Sequence, residues 1–177
     1  IVQEEARECD ILGLHAEHDT VYYPDGSRLF HKEVGVKLAG ALGPYGSRST
    51  VIRASLGSWR DSYGGESGAL VLALTHALRG EDPRIVCILT DGLSVLQALA
   101  NPRNTDRRIN RIKDLVKRNI RAGNQVRLQF IRGHQGHVGN EIADRQAKKA
   151  ASDSIWAFID AGMCFQEFKA IYRDAEA

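Results

Sequence analysis

The feature that most constrains the fold is a change in hydrophobic period near residue 65. Upstream of it, three segments with strand composition are separated by short segments of turn residues. Downstream, apolar residues recur at helical spacing, and two short apolar strands lie between the helices. The predicted order is β-β-β-α-β-α-α-β-α, an α/β arrangement in which an antiparallel meander precedes the later strands.

Element boundaries follow from local composition. Strands are predicted at 20–23, 33–42, 49–56, 85–89 and 126–131, and helices at 66–78, 94–100, 107–122 and 140–151. Residues 24–27 have turn composition and should end the first strand. The flexible pair Gly64-Gly65 should precede the first of these helices. The helix at 107–122 should direct Ile120 inward and its basic residues outward.

Length and composition fit one domain with an extension at each end. The 177 residues are 43% hydrophobic and 26% charged, which is ordinary for a globular protein with a single core. We expect residues 1–18 to be a linker or a short N-terminal extension, 19–152 to be the domain, and 153–177 to be a helical C-terminal extension. Because the chain begins with Ile, we also expect a piece of a longer chain or a processed product.

Cysteine spacing and hydropathy exclude several classes of protein. The three cysteines lie far apart without a C-x-x-C pair, which argues against a thiolate zinc site and a disulfide framework. This pattern indicates a reducing, intracellular compartment, either nucleus or cytoplasm. No apolar run reaches the roughly 18 residues that span a bilayer, so we expect no membrane association.

Four carboxylates fall at predicted element boundaries. Asp25 and Asp91 follow strands, and Glu66 begins a helix. Asp144 lies one turn inside the last helix. Any one of them could be an ordinary turn or helix residue, but in an α/β sheet such boundaries cluster at one edge, where ligands bind. Four clustered carboxylates repel unless cations are present, and oxygen ligands favour Mg²⁺ or Mn²⁺.

A glycine-rich loop at residues 132–139 carries two histidines before the last helix. His134 and His137 have the spacing of a metal pair, but no third zinc ligand lies nearby in the sequence. A solvated loop histidine is the ordinary interpretation for either. His134 has the better functional case, because a mobile loop beside a metal site can carry a proton. The other four histidines show no pattern.

Positive charge is concentrated between residues 103 and 121. This segment holds eight Lys or Arg against two Asp, whereas the whole chain has a net charge of +2. The remainder is therefore net acidic. A polyanionic partner and a solvated helix face explain the segment equally well.

With these residues in place, the chain resembles the ribonuclease H family, type 1. The matching pieces are Tyr23-Pro24-Asp25-Gly26-Ser27, Gly65-Glu66-Ser67-Gly68-Ala69-Leu70, Leu89-Thr90-Asp91-Gly92 and the stretch from Arg132-Gly133-His134 to Gly139-Asn140-Glu141-Ile142-Ala143-Asp144. The resemblance covers roughly residues 20–151. It implies a ribonuclease H-like fold, in which a five-stranded mixed sheet, three antiparallel strands and then parallel ones, is flanked by helices.

The resemblance also implies endonucleolytic hydrolysis of the RNA strand of an RNA/DNA hybrid by two Mg²⁺ ions, for which Mn²⁺ can substitute. Asp25 would bridge the ions, Glu66 and Asp91 would bind one, and Asp144 the other. His134 would assist proton transfer or product release. The residues expected to bind nucleic acid are Ser27, Asn140, Arg108, Arg111 and Arg118.

Residues 94–102, followed by one basic helix, resemble the ribonuclease H domains of non-LTR retrotransposon polyproteins. We therefore expect a covalent link to a reverse transcriptase, with residues 1–18 as the end of a linker. One alternative is a catalytically inactive domain that binds nucleic acid or acts as a scaffold. Another is a nuclease of the integrase or Holliday-junction class, which the 132–144 stretch disfavours.

Overall fold

The computed structural model describes residues 1–31, 35–44, 52–57 and 62–152. Its elements are α1 Glu8–Glu17, β1 Thr20–His31, β2 Gly35–Pro44, β3 Ile52–Gly57, α2 Ser62–Ala77, β4 Ile85–Thr90, α3 Leu93–Ala100, α4 Arg107–Arg121, β5 Gln125–Phe130 and α5 Val138–Ser152. From β1 onward, their type and order agree with the prediction. Residues 153–177, predicted to form a helical extension, lie outside the described residues.

The strands pair in one sheet with the order β3-β2-β1-β4-β5. β2 is antiparallel to both β1 and β3, whereas β4 is parallel to both β1 and β5. The carboxyl end of β4 therefore points toward the same edge as those of β1 and β5. Val2 adds an isolated parallel bridge to Gln129 on the outer side of β5.

Alternating residues of the central strands bury two separate cores, one on each face of the sheet. Tyr22 and Ile88 face a cluster completed by α2, α3 and α4. Tyr23 and Leu89 face the other side, where Ala143 of α5 and apolar residues of the N-terminal segment cover them. The period of two along β1 and β4 thus places helices on both faces.

Two predicted boundaries at the start of the domain are wrong. β1 does not turn at residues 24–27 but continues, with Asp25 opposite Ala41 of β2. The parallel pairing of β1 with β4 ends at Tyr22, so one edge of β1 is unpaired beyond it and Pro24 is tolerated there. α2 begins at Ser62, so the glycine pair expected to precede it is helical.

The predicted orientation of α4 is wrong at two positions. Ile120, expected inside, is 59% exposed, whereas Asn119 is fully buried. Asn119 donates from Nδ2 to the carbonyl of Leu74 at 3.0 Å and accepts from Asn124 at 2.9 Å, so its amide is satisfied inside the core. The second error is Arg108, which was expected to face outward but is only 8% exposed.

Within the described ranges, no helix has the length and apolar character needed to cross a membrane.

Candidate active site

The first two predicted acids are brought together by a direct backbone contact between β1 and α2. A Cβ atom on Gly26 would overlap the main chain of Gly65, so no side chain can separate the two elements there. Asp25 and Glu66 are the chain neighbours of these two glycines. The contact therefore brings Asp25 of β1 and Glu66 of α2 close together, even though 40 residues separate them in the sequence.

Asp91 directly follows β4, and it and its neighbour Gly92 lie against three other parts of the site. A Cβ on Gly92, its neighbour, would lie 3.1 Å from Oε2 of Glu66, and a Cβ on Gly133 would lie 2.5 Å from Oδ2 of Asp91. The amide Nδ2 of Asn140 donates to the same oxygen of Asp91 at 3.4 Å. Asp91 therefore lies between α2, the 132–139 loop and the start of α5.

Asp144 projects from α5 and is paired with a cation one turn further along. Nζ of Lys148 donates to Oδ2 of Asp144 at 2.5 Å. The Lys148 side chain is 63% exposed and that of Asp144 is 26% exposed. The hydrogen bond to Asp144, and then its charge, raise the pKa of the Lys148 ammonium, and the charge of Asp25 contributes in the same direction. Lys148 therefore interacts with two of the four acids.

The electrostatics of Asp25 show that the four acids form one cluster. Burial, the largest cause, and the charges of Asp91, Asp144 and Glu66 together raise the pKa of Asp25 from 3.8 to about 7. The backbone amide of Gly26 donates a hydrogen bond to Asp25, which lowers this pKa and partly offsets the increase. A bound cation would strongly stabilise a carboxylate whose pKa is raised by three neighbouring acids.

The chemistry of this donor set fits a hard divalent cation, because it consists of carboxylate oxygens without sulfur. The present side-chain positions fit less closely. In the parts of the chain that the structure describes, no three His, Cys, Asp or Glu side chains converge enough to hold one ion. The pairing of Asp144 with Lys148 is one physical reason, since it holds that carboxylate on a protein cation.

A family model described as RNase H matches residues 17–152, well over half of the chain. The chain belongs to the ribonuclease H family. No match was found among curated proteins.

Solved structures share the fold of this ribonuclease H domain at low sequence identity. The foamy viral protease-reverse transcriptase in complex with an RNA/DNA hybrid aligns with a TM-score of 0.59 and 17% identity over 85% of this chain and 22% of the viral one. The separate ribonuclease H domain of the prototype foamy virus gives 0.55 and 20% over 76% and 95% of the two chains. Ribonuclease H1 of Halobacterium salinarum gives 0.53 and 17% over 76% and 98%. The chain thus spans about a fifth of the full viral protein.

His134 occupies an unusual backbone conformation in the 132–139 loop. Its φ is +56°, the one positive value at a described residue other than glycine, and its side chain is exposed. Such a conformation is unfavourable for a side chain with a Cβ and is often found at functional sites. The structure therefore places His134 on the solvent side of the loop, beside the glycine that contacts Asp91.

The residues predicted to bind nucleic acid are not equally placed. Asn140 is 2% exposed and faces Asp91, so it supports that acid and offers little surface to a ligand. Arg108 donates from Nη2 to Asp106 at 2.7 Å and lies 4.7 Å from the ring centre of Tyr63, so it anchors the start of α4. Ser27 is half-buried on β1.

Arg111 and Arg118 remain on the outer side of α4. The side chain of Arg111 is 38% exposed and pairs with Asp114 at 3.8 Å, and Arg118 is exposed in the last turn of the helix.

Sequence reasoning missed two side-chain contacts at or near the site. Lys148 could have been found, because its position four residues after Asp144 places both on one helix face. His15 had no visible signal, since its partner Tyr23 belongs to a different element.

Proposed function

We propose that this ribonuclease H domain, of type 1, hydrolyses the RNA strand of RNA/DNA hybrids endonucleolytically with two Mg²⁺ ions, or with Mn²⁺ in their place. The observation that supports the proposal is that the charges of Glu66, Asp91 and Asp144, which come from separate parts of the chain, all act on the buried Asp25 and help to raise its pKa. Four such charges weaken the folded state unless bound cations compensate them. A protein without catalytic use for the cluster would gain nothing from keeping it.

Each acid has a role in this proposal that follows from its place. Asp25, whose pKa the other three acids raise, would bridge the two ions, and Glu66 and Asp91 would bind one of them. Asp144 would bind the other in competition with Lys148. When bound, the ions would orient and activate the attacking water and stabilise charge on the phosphodiester.

The remaining roles belong to the loop and to α4. The exposed imidazole of His134 would carry a proton to or from the leaving oxygen, as its position in a glycine-rich loop allows. Ser27, Arg111 and Arg118 would contact the hybrid, and the 2′-hydroxyls would identify its RNA strand. The foamy viral structure in complex with an RNA/DNA hybrid supports this substrate class.

We also propose that the domain belongs to a non-LTR retrotransposon polyprotein and is covalently linked to a reverse transcriptase. The foamy viral protein, in which a domain of this fold is part of a protease-reverse transcriptase, supports such a linkage. The free thiols of Cys9 and Cys87 support a reducing compartment in the nucleus or cytoplasm.

One observation favours a second candidate, a catalytically inactive domain that binds hybrids. It is that no three candidate ligands in the described ranges converge on one ion position. Both candidates bind the hybrid, but only the first cleaves it, so the test must measure cleavage and binding separately.

The test is incubation of the protein and Mg²⁺ with a labelled RNA/DNA hybrid, single-stranded RNA and duplex DNA in parallel. We expect cleavage of the RNA strand of the hybrid alone, and its loss in EDTA. Hybrid binding without cleavage would support the inactive domain. Cleavage of duplex DNA would place the chain with the integrase or junction-resolving nucleases.

A further inference from the structure

The N-terminal segment lies almost entirely before the family match and yet packs into the fold. The backbone N–H of Val2 donates to Leu128 at 2.8 Å, and the N–H of Phe130 donates back to Val2 at 2.9 Å, so the segment extends the sheet beyond β5. Glu5 forms an ion pair of 3.3 Å with Arg132, the first residue of the active-site loop. Residues 1–18, expected to be a linker or a short N-terminal extension, therefore contact both the outer strand of the sheet and the 132–139 loop.

α1 faces the active-site loop directly across a cavity of about 60 Å³. The residues that line it include Ile11, Leu12 and His15 from α1 and Gly136, His137 and Gly139 from the loop and α5. Tyr23 lies between the two sides. Nε2 of His15 and the hydroxyl of Tyr23 share a hydrogen bond of 2.7 Å, and their rings stack at 5.8 Å with an interplanar angle of 23°.

Tyr23 connects this contact to the acids. It is 1% exposed and lies two residues before Asp25 on β1. A Cβ on Gly139 would overlap the ring of Tyr23, so the start of α5 rests on that ring. The next residue, Asn140, donates to Asp91 at 3.4 Å. A movement of the Tyr23 ring would therefore shift Asp25 on β1 and also the start of α5, where Asn140 is bonded to Asp91.

We propose that His15 is a positioning residue of the active site. By holding the hydroxyl of Tyr23, it fixes the ring on which Gly139 rests, and thereby the distance between Asn140 on α5 and Asp91 on β4. In this proposal His15 acts through Tyr23. The expected effect on kcat rests on the proposed function, whereas the expected effect on the 132–139 loop rests only on packing.

The test compares three variants of the full chain. His15→Phe keeps a stacking ring and loses the hydrogen bond, and His15→Gln retains a polar group near the position of Nε2. His18→Gln is the control, since His18 follows the end of α1 and is hydrogen-bonded to the Leu14 carbonyl and not to Tyr23. On an RNA/DNA hybrid with Mg²⁺, we expect His15→Phe to lower kcat about tenfold, because small displacements of reacting groups are costly. KM should stay within about twofold, His15→Gln should regain most of the rate, and the control should match the wild type.

Hydrogen exchange provides a readout that does not need activity. Amides of residues 132–140 should exchange faster in His15→Phe than in the wild type and at the wild-type rate in His18→Gln. Unchanged kcat and unchanged exchange would overturn the proposal, as would an equal loss in the control or a loss that His15→Gln does not relieve. If the wild type itself is inert, the proposed hydrolysis fails, and exchange in the loop alone decides whether His15 positions it.

Discussion

The environment of Asp25 destabilises the folded protein when this carboxyl group is ionised. Its pKa is about 7 because it is buried and faces three other acids, whereas in the unfolded chain it titrates near 3.8. Between these pH values the folded protein keeps a proton that the unfolded protein releases. Without metal ions, the free energy of unfolding should therefore fall as pH rises from about 4 to about 7.

The substitution Asp25→Asn should remove this pH-dependent loss of folding stability, because an amide does not ionise. In EDTA, urea denaturation should show the variant more stable than the wild type by roughly 1–3 kcal/mol at pH 8, since one pKa unit corresponds to about 1.4 kcal/mol. At pH 4 the difference should nearly vanish. Asp82→Asn, at an exposed turn position, is the control and should change neither value. An equal difference at both pH values would show that the acid cluster does not act on Asp25.

Lys148 is a cation that interacts with two of the acids, Asp144 and Asp25. A metal ion bound to Asp144, as proposed, would compete with the Lys148 ammonium for the carboxylate. Lys148→Met should therefore lower the Mn²⁺ or Mg²⁺ concentration of half-saturation, measured by calorimetry. The change should be up to about fivefold, because exposed ion pairs contribute at most about 1 kcal/mol. Lys149→Met, next to it and exposed, is the control; weaker metal binding in Lys148→Met would mean that the lysine supports the site.

At this scale, the sequence indicated the acids because turns and element boundaries have recognisable compositions. It could not indicate the burial of Asn140 or the contact between His15 and Tyr23. Both depend on how separate elements meet, which local periodicity does not encode.

Among the elements, α1 is the one whose role changed most. The sequence allowed a linker or a short helix, since only a few of its positions are apolar. In the structure, Ile11 and Leu14 are 6% and 5% exposed in the core that Tyr23 and Leu89 share. α1 thus covers a part of the sheet that would otherwise expose apolar side chains.

Leu14→Ala should lower the free energy of unfolding by about 2–5 kcal/mol, the usual loss for a buried leucine. Leu12→Ala is the matched control, because Leu12 is on the same helix but 59% exposed, and should change stability by less than about 0.5 kcal/mol. Urea denaturation of both measures the difference. Equal, small losses would show that α1 is a dispensable linker.

The other elements show where patterns succeed and where they fail. α4 was found from its spacing, but its inward face runs through Arg108, Ile112 and Asn119. Its polar members are held by specific partners, Asp106 and Asn124, which hydrophobicity alone does not reveal. The turn predicted at residues 24–27 failed because pairing with β2 outweighs local turn preference.

For the whole molecule, the two-core arrangement separates the basic face from the rest. α4 packs on the face of α2 and α3, whereas α5 packs on the opposite face.

Arg111→Gln combined with Arg118→Gln should weaken hybrid binding and reduce the slope of log K against log salt by about 1–2, as each phosphate contact releases counterions. Lys149→Gln, on α5, is the control. Fluorescence anisotropy at several salt concentrations measures the slope, and an unchanged slope would mean that this face of α4 is only solvated.

The central claim is that four acids from four elements act as one catalytic site. Single-turnover cleavage of the RNA strand of a hybrid tests it, with Asp25→Asn, Glu66→Gln, Asp91→Asn, Asp144→Asn and the double variant of Asp25 and Asp144. We expect each single variant to lose on the order of 10²-fold or more in rate while still binding the hybrid. The double variant should lose no more rate than the more damaging of its two single variants. A near wild-type rate in any single variant, or losses that multiply in the double variant, would contradict a single shared site.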